Sequence, residues 1–331
     1  MDVMSTNPPL VEARGLTKHF AQQSNSFFGR RSSRAVSRAV DGVDFQIRRG
    51  ETIGLLGESG SGKTTTGRLL LRLTEPSGGT VRFDGADVAT LRGQALKTFR
   101  GRAQLVFQNP FDALNPRFTT RQSLAEPLIN AGVPKAERED RMHAVLQRVH
   151  LSDAVSILGK FPHQMSGGQL QRIVLARALI LDPDFIVADE PVSMLDVSVR
   201  AGILNVLRDV RDAMGLAAIY ISHDVTLVRY VCARTLVMYR GRIVEDGPTN
   251  EVIKRPLHPY TQVLISAVPV PRMEQNRAPL LLRQDQGERL DLSVGCGFRD
   301  RCPHAFERCS TEQPKLRAGA PAHFAACHLD L

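Results

Sequence analysis

The stretch ETIGLLGESGSGKTTTGRLLLRL, residues 51–73, constrains this chain more than any other. A short apolar run ends in glycine, a glycine- and serine-rich turn follows, and a segment of helical character begins at Lys63. The spacing is G-x-x-x-x-G-K-[ST], with Gly57, Gly62, Lys63 and Thr64 at its defined positions and Ser59, Gly60 and Thr65 completing the loop. Glycines let consecutive backbone N–H groups turn inward around a phosphate, and the following helix adds its positive N-terminal end. In such a loop the lysine reaches the β- and γ-phosphates and the Thr64 hydroxyl ligates Mg²⁺. A strand before the turn and a helix after it separate this pattern from a chance glycine-rich turn.

The rest of the chain reads as α/β. TVRFDG at 80–85 alternates like a strand and ends in an Asp-Gly turn. Residues 134–150 open with a proline suited to a first helical turn and place Met142, Val145, Leu146 and Val149 on one face. DFIVADE (184–190) and AAIYISHD (217–224) read as buried strands ending in polar residues. Between them lies a helix whose Gly215 fits a C-cap. Strand and helix in alternation predict a largely parallel sheet with ligands at its strand ends. Asp189 and Glu190 end one such strand. A carboxylate to hold Mg²⁺ beside one to orient and deprotonate water is the pair phosphoryl transfer needs. In MSGGQLQR, Ser166, Gly167 and Gly168 open an apolar-striped helix and make a second anion-facing terminus, although serine is also an ordinary N-cap.

Composition limits the alternatives. The 331 residues include 43 Lys and Arg against 34 Asp and Glu, a net charge of +9 that predicts an anionic partner. No acid lies between Glu12 and Asp41, whereas Arg14, Lys18, Arg30, Arg31, Arg34 and Arg38 do. That stretch is either a solvated loop or a contact for membrane headgroups or a membrane partner. The N-terminal residues lack the pattern of a secretory signal, and no run reaches the roughly 18–20 apolar residues of a bilayer crossing. The expected compartment is the cytosol, where thiols stay reduced.

Taken together and in order, these motifs resemble the nucleotide-binding subunits of ATP-binding-cassette (ABC) transporters over roughly residues 10–255. Gly57 to Thr64 match the Walker A loop, and Gln108 in VFQNP matches the Q-loop glutamine. Ser166 to Gln169 match the signature, and Asp189 and Glu190 match Walker B. Asp196 in SMLD matches the D-loop, and His223 in ISHD matches the switch histidine. The resemblance implies a P-loop NTPase of ABC type, with a helical subdomain at 109–165 inside an ATPase domain at 1–255. It implies an ATP hydrolase that binds ATP and Mg²⁺, the metal held by Thr64, Asp189 and Gln108, with Glu190, His223 and Gln108 as catalytic residues. It also implies a head-to-tail dimer in which each ATP lies between one subunit's Walker A loop and the other's signature helix. Two departures stand out. The adenine-stacking position, often tyrosine, falls on Phe20, and Met194 replaces the usual alanine of the D-loop.

DGPTNEVIKRPLHPYTQVLISAVPVP (246–271), the basic insertion after Phe20 and EPVS after Walker B resemble the dipeptide and oligopeptide importers. Expected partners are a second ABC ATPase subunit (identical or homologous), two transmembrane permeases and, indirectly, an extracytoplasmic peptide-binding protein. The expected location is peripheral, on the cytoplasmic face of the inner membrane. Alternatives are an importer of nickel, glutathione or sugar, and a nucleic-acid-associated ABC ATPase. Nothing shows the coiled coils or aromatic-laced basic patch of the latter, so no nucleic acid is expected.

The cysteine-rich C-terminal extension, 256–331, carries Cys296, Cys302, Cys309 and Cys327, spaced C-x₅-C-x₆-C-x₁₇-C. Structural zinc usually shows tighter pairs. Gly295, Gly297 and Pro303 beside the thiols are weak hints of iron–sulfur ligation, and similar tails in the peptide-importer group are associated with a four-cysteine cluster. A 4Fe–4S cluster, zinc (with His304 or His328) and free thiols all remain open on these residues alone. Cys232 stands apart as a small buried residue.

Overall fold

A computed structural model describes residues 8–21, 36–267 and 294–330. Most of the basic stretch at 22–35 and the proline-containing segment at 268–271 lie outside them. In chain order the strands are β1 (Val11–Ala21), β2 (Val36–Ile47), β3 (Thr52–Leu56), β4 (Gly78–Phe83), β5 (Ala86–Asp87) and β6 (Ala103–Val106). They continue as β7 (Phe185–Asp189), β8 (Ala217–Ser222), β9 (Arg234–Tyr239), β10 (Arg242–Pro248), β11 (Arg317–Ala320) and β12 (His323–Ala325). They form a four-stranded sheet, β2-β1-β4-β5, and an eight-stranded sheet, β11-β12-β10-β9-β3-β8-β7-β6.

The larger sheet has a parallel centre, because β3 runs parallel to both β8 and β9, and β7 to both β8 and β6. Every residue of β3, β7 and β8 is buried, which explains why these segments read as continuous apolar runs rather than alternating ones. The small sheet is antiparallel. Its β4–β5 hairpin turns at Asp84 and Gly85, both left-handed (φ 51° and 79°), as an Asp-Gly turn should.

Two cores hold the molecule. One lies between the two sheets and the helix Lys63–Leu70, around Ile53, Leu55, Val81 and Ile219. The other lies under the helices Thr120–Asn130, Lys135–Arg148, Gly167–Leu179 and Val197–Met214. Met142, Val145, Leu146 and Val149 are buried there as their spacing predicted, each worth roughly 1.5–3 kcal/mol over exposure. Asp196 caps the last of these helices through Val199 N–H (2.9 Å), and Gly215 ends it with φ 59°.

The C-terminal residues do not hang beside this framework. β12 pairs with β10, Glu245 opposite Ala325 and Asp246 opposite Phe324, so the tail lengthens the main sheet. The joint contains a buried carboxylate. Glu245 accepts from the backbone N–H groups of Leu257 and His258, both at 2.9 Å, and lies 2.7 Å from His323 Nε2.

Candidate active site

Parallel strands end on one edge, and four of the sequence motifs follow the ends of four of them. Gly57 follows β3, Gln108 lies just past β6, Glu190 follows β7 and His223 follows β8. A parallel sheet therefore converts motifs spread over 167 residues into neighbours.

The phosphate loop is shaped by backbone demands. Gly60 and Gly62 have φ of 78° and 107°, and a Cβ on Gly62 would lie 2.1 Å from the Ala39 carbonyl oxygen, so no larger residue fits. Helix Lys63–Leu70 starts at Gly62 without a side-chain cap and without an acid in its first turn, leaving its positive end for an anion. Lys63 Nζ donates to the carbonyl oxygens of Gly57 (2.7 Å) and Glu58 (2.8 Å). Burial lowers the Lys63 pKa, and the carboxylates of Glu190, Asp189 and Glu58 oppose the shift.

Thr64 Oγ1 donates to Asp189 Oδ1 at 3.1 Å, so the two expected oxygen ligands already meet. Burial raises the Asp189 pKa, and the neighbouring Glu190 adds to that while the Thr64 hydrogen bond opposes it. Glu190 sits between the other two expected catalytic groups. Gln108 Nε2 donates to its Oε2 at 3.1 Å, and His223 Nδ1 lies 2.9 Å from its Oε1. Glu190 itself has φ 45°, a left-handed conformation that glutamate rarely adopts. Its N–H bonded to Ile221 O (2.9 Å) and its carbonyl accepting from Ser193 N–H (3.2 Å) hold it there.

The signature residues are built but lie elsewhere. Ser166 and Gln169 form a reciprocal capping box, at 3.1 and 3.3 Å, at the start of helix Gly167–Leu179. Gly168 packs so tightly on Val199 that a Cβ would lie 2.4 Å from its Cγ1, coupling this helix to the one Asp196 caps. Among the described residues no hydrogen bond or ion pair joins Ser166–Gln169 to Gly57–Thr65. Phe20 is 45% exposed on β1 with Lys18 Nζ 5.1 Å from its ring centroid, an available aromatic face without a partner ring among the described residues.

The expectations for the cysteines are met only in part. Cys296, Cys302, Cys309 and Cys327 do gather, since Cys296 is influenced by the other three, and Cys296 N–H donates to Cys309 O at 2.7 Å. Yet among the described residues no group of three or more His, Cys, Asp or Glu side chains is arranged to hold a metal ion. Burial pushes the Cys296 thiol up to about 11 and raises that of Cys327. The described residues therefore give no support to the 4Fe–4S cluster or to zinc with His304 or His328. Cys232 is buried as expected.

Two residues from outside the loop also meet it. Tyr260 and Arg301 hold Glu58 from 202 and 243 positions away. No local pattern marks such contacts, although Tyr260 lies in the distinctive HPYT.

This sheet edge, with a glycine-rich loop beside Asp189 and with Glu190 flanked by His223 and Gln108, has the arrangement of an ATP-hydrolysing cassette. The chain belongs to the ABC transporter family. The family model described as ABC transporter matches residues 40–193, and the one described as oligopeptide/dipeptide transporter, C-terminal region, matches residues 244–309. It is 46% identical over 326 residues to a putative peptide import ATP-binding protein of Brucella ovis, covering 98% of this chain and 99% of that one. The oligopeptide transport ATP-binding protein AppF of Bacillus subtilis is 41% identical over 326 residues, with 97% of each chain covered. The dipeptide transport ATP-binding protein DppF of Escherichia coli is 41% identical over 310 residues, covering 93% of this chain and 91% of that one. A dimeric ATP-binding cassette in a post-hydrolysis state with ADP and Pi superposes with TM-score 0.63 at 27% identity, over 72% of this chain and 98% of that one. Among the described residues no helix is long and apolar enough to cross a membrane.

Proposed function

We propose that this chain is the ATPase subunit of an importer of dipeptides or oligopeptides, working at the cytoplasmic face of the inner membrane. Its partners are two permeases, a second ABC subunit and, indirectly, a peptide-binding protein. The observation that carries the reading is the placement of Glu190 within 3.1 Å of Gln108 and 2.9 Å of His223, beside the Thr64–Asp189 contact and Lys63. Glu190 takes the proton of the attacking water, His223 orients it, and Gln108 links the γ-phosphate to the helices at 109–165. Thr64, Asp189 and the Gln108 amide oxygen suit Mg²⁺, which when bound neutralises charge on the β- and γ-phosphates. Phe20 stacks on adenine.

The separation of Ser166–Gln169 from the phosphate loop supports completion of the site by a second subunit, whose signature would face this loop across a head-to-tail dimer while Asp196 lines the joint. Residues 1–255 serve as the ATPase and 256–331 as its extension. Glu190→Gln should retain ATP binding and lose turnover by about 10²–10⁴-fold, the range for a positioned base. Turnover near that of the unmodified protein would refute the base assignment. Purification from membranes should bring down two permeases and a peptide-binding protein, and recovery with DNA instead would refute the importer reading.

A further inference from the structure

The phosphate loop is gripped from outside its own fold segment. Glu58, the loop's second residue, is held at three points. Its N–H donates to Tyr260 Oη at 2.8 Å, and its carbonyl oxygen accepts from Lys63 Nζ at 2.8 Å. Its carboxylate receives both Arg301 nitrogens, Nη1 at 3.0 Å and Nη2 at 3.2 Å, a bidentate pairing that fixes direction as well as distance.

Arg301 is itself braced. Its guanidinium lies 5.8 Å from the Phe298 ring centroid. Phe298 packs against Tyr239 and Tyr260, with centroids 5.3 and 5.5 Å apart. Arg240 ties down the same turn through Gly297 O (2.9 Å) and Asp300 Oδ2 (3.1 Å). The result is a strut from the C-terminal segment to the loop, bordering a cavity of about 300 Å³ whose walls include Ser59, Gly60 and Arg240. A loop with glycines at 57, 60 and 62 costs conformational entropy to order, and a group that holds it before the nucleotide arrives removes part of that cost.

We propose that Arg301 is a positioning residue for nucleotide binding: by clamping Glu58 it pre-orders the phosphate loop, so the C-terminal segment sets the affinity of this subunit for ATP. This rests on the assignment of residues 57–65 as the phosphate loop.

The test uses the full-length chain, with binding of a fluorescent ATP analogue and steady-state hydrolysis measured together. Arg301→Ala and Glu58→Ala should each weaken analogue binding by about tenfold, with a rise in KM that exceeds any change in kcat. The double variant should be no worse than either single one, because both remove the same contact. The charge swap, Arg301→Glu with Glu58→Arg, should recover much of the affinity, and Arg301→Lys should fall between the native protein and Arg301→Ala. If Arg301→Ala proves poorly folded by thermal melting, the swap and Arg301→Lys decide the matter alone. Unchanged analogue affinity in those variants, additive losses in the double variant, or loss of kcat at constant KM would overturn the proposal. Lys63→Ala separates the two levels. If it loses affinity while the Arg301 variants keep theirs, only the strut is refuted; if it keeps affinity, the loop assignment falls and the strut with it.

Discussion

Acidification should weaken this protein through one buried histidine. His258 is 1% exposed, and its Nδ1 accepts a hydrogen bond from Tyr260 N–H at 3.0 Å, so that nitrogen must lack a proton in the folded state. Burial lowers its pKa from the ordinary 6.5 to about 4, and the nearby Glu245 carboxylate only partly opposes the shift. Between those values the unfolded chain binds a proton that the folded chain refuses, so stability rises with pH there. The contribution is fully present above about pH 6.5 and is lost as pH falls toward 4. From pH 8 to pH 5 the loss from this group is about 2 kcal/mol. His258→Asn is the informative variant, because asparagine does not titrate yet keeps an oxygen to cap helix Pro259–Ser266. Urea unfolding at pH 8, 6.5 and 5 would give stability for both proteins. The variant should lose about 2 kcal/mol less than the native chain over that range. Equal losses, within about 0.5 kcal/mol, would show that protonation of His258 is not what acid acts on.

Two further perturbations probe the tail joint and the loop. Glu245→Ala strands two backbone N–H groups and the His323 ring in a buried site. It should cost roughly 3–5 kcal/mol in urea unfolding and expose the C-terminal strands to proteolysis; a loss below about 1 kcal/mol would contradict that account. Gly62→Ala forces a Cβ to within 2.1 Å of Ala39 O at φ 107°. The strain of about 1–3 kcal/mol should displace the loop and weaken ATP-analogue binding by about tenfold or more, and native-like binding would show the loop tolerates the shift.

Much of the candidate site is legible in the amino-acid sequence because each motif is local. The strand running into Gly57, the Asp-Glu pair after an apolar run and the serine opening the helix at Gly167 each state their geometry within a few residues. The Asp-Gly turn at 84–85 and the capping glycine at 215 are local in the same sense. The cysteines say less for the complementary reason. Spacing says that four thiols can gather, but ligation depends on where each sulfur points and how dry its surroundings are, which spacing does not encode.

A glycine-rich loop and an acidic pair at a strand end on α/β architecture therefore follow from short segments, since backbone freedom at glycine and burial of apolar runs are local properties. The packed fold is what makes β3, β6, β7 and β8 open on one edge and so brings Gln108, Glu190 and His223 within hydrogen-bonding reach. It also places β12 on β10 through Glu245 and His323, and Arg301 on Glu58. Those contacts join residues 78 and 243 positions apart. Their partners meet only because the whole sheet and its packed aromatic rings bring them together, and no run of neighbouring residues carries that information.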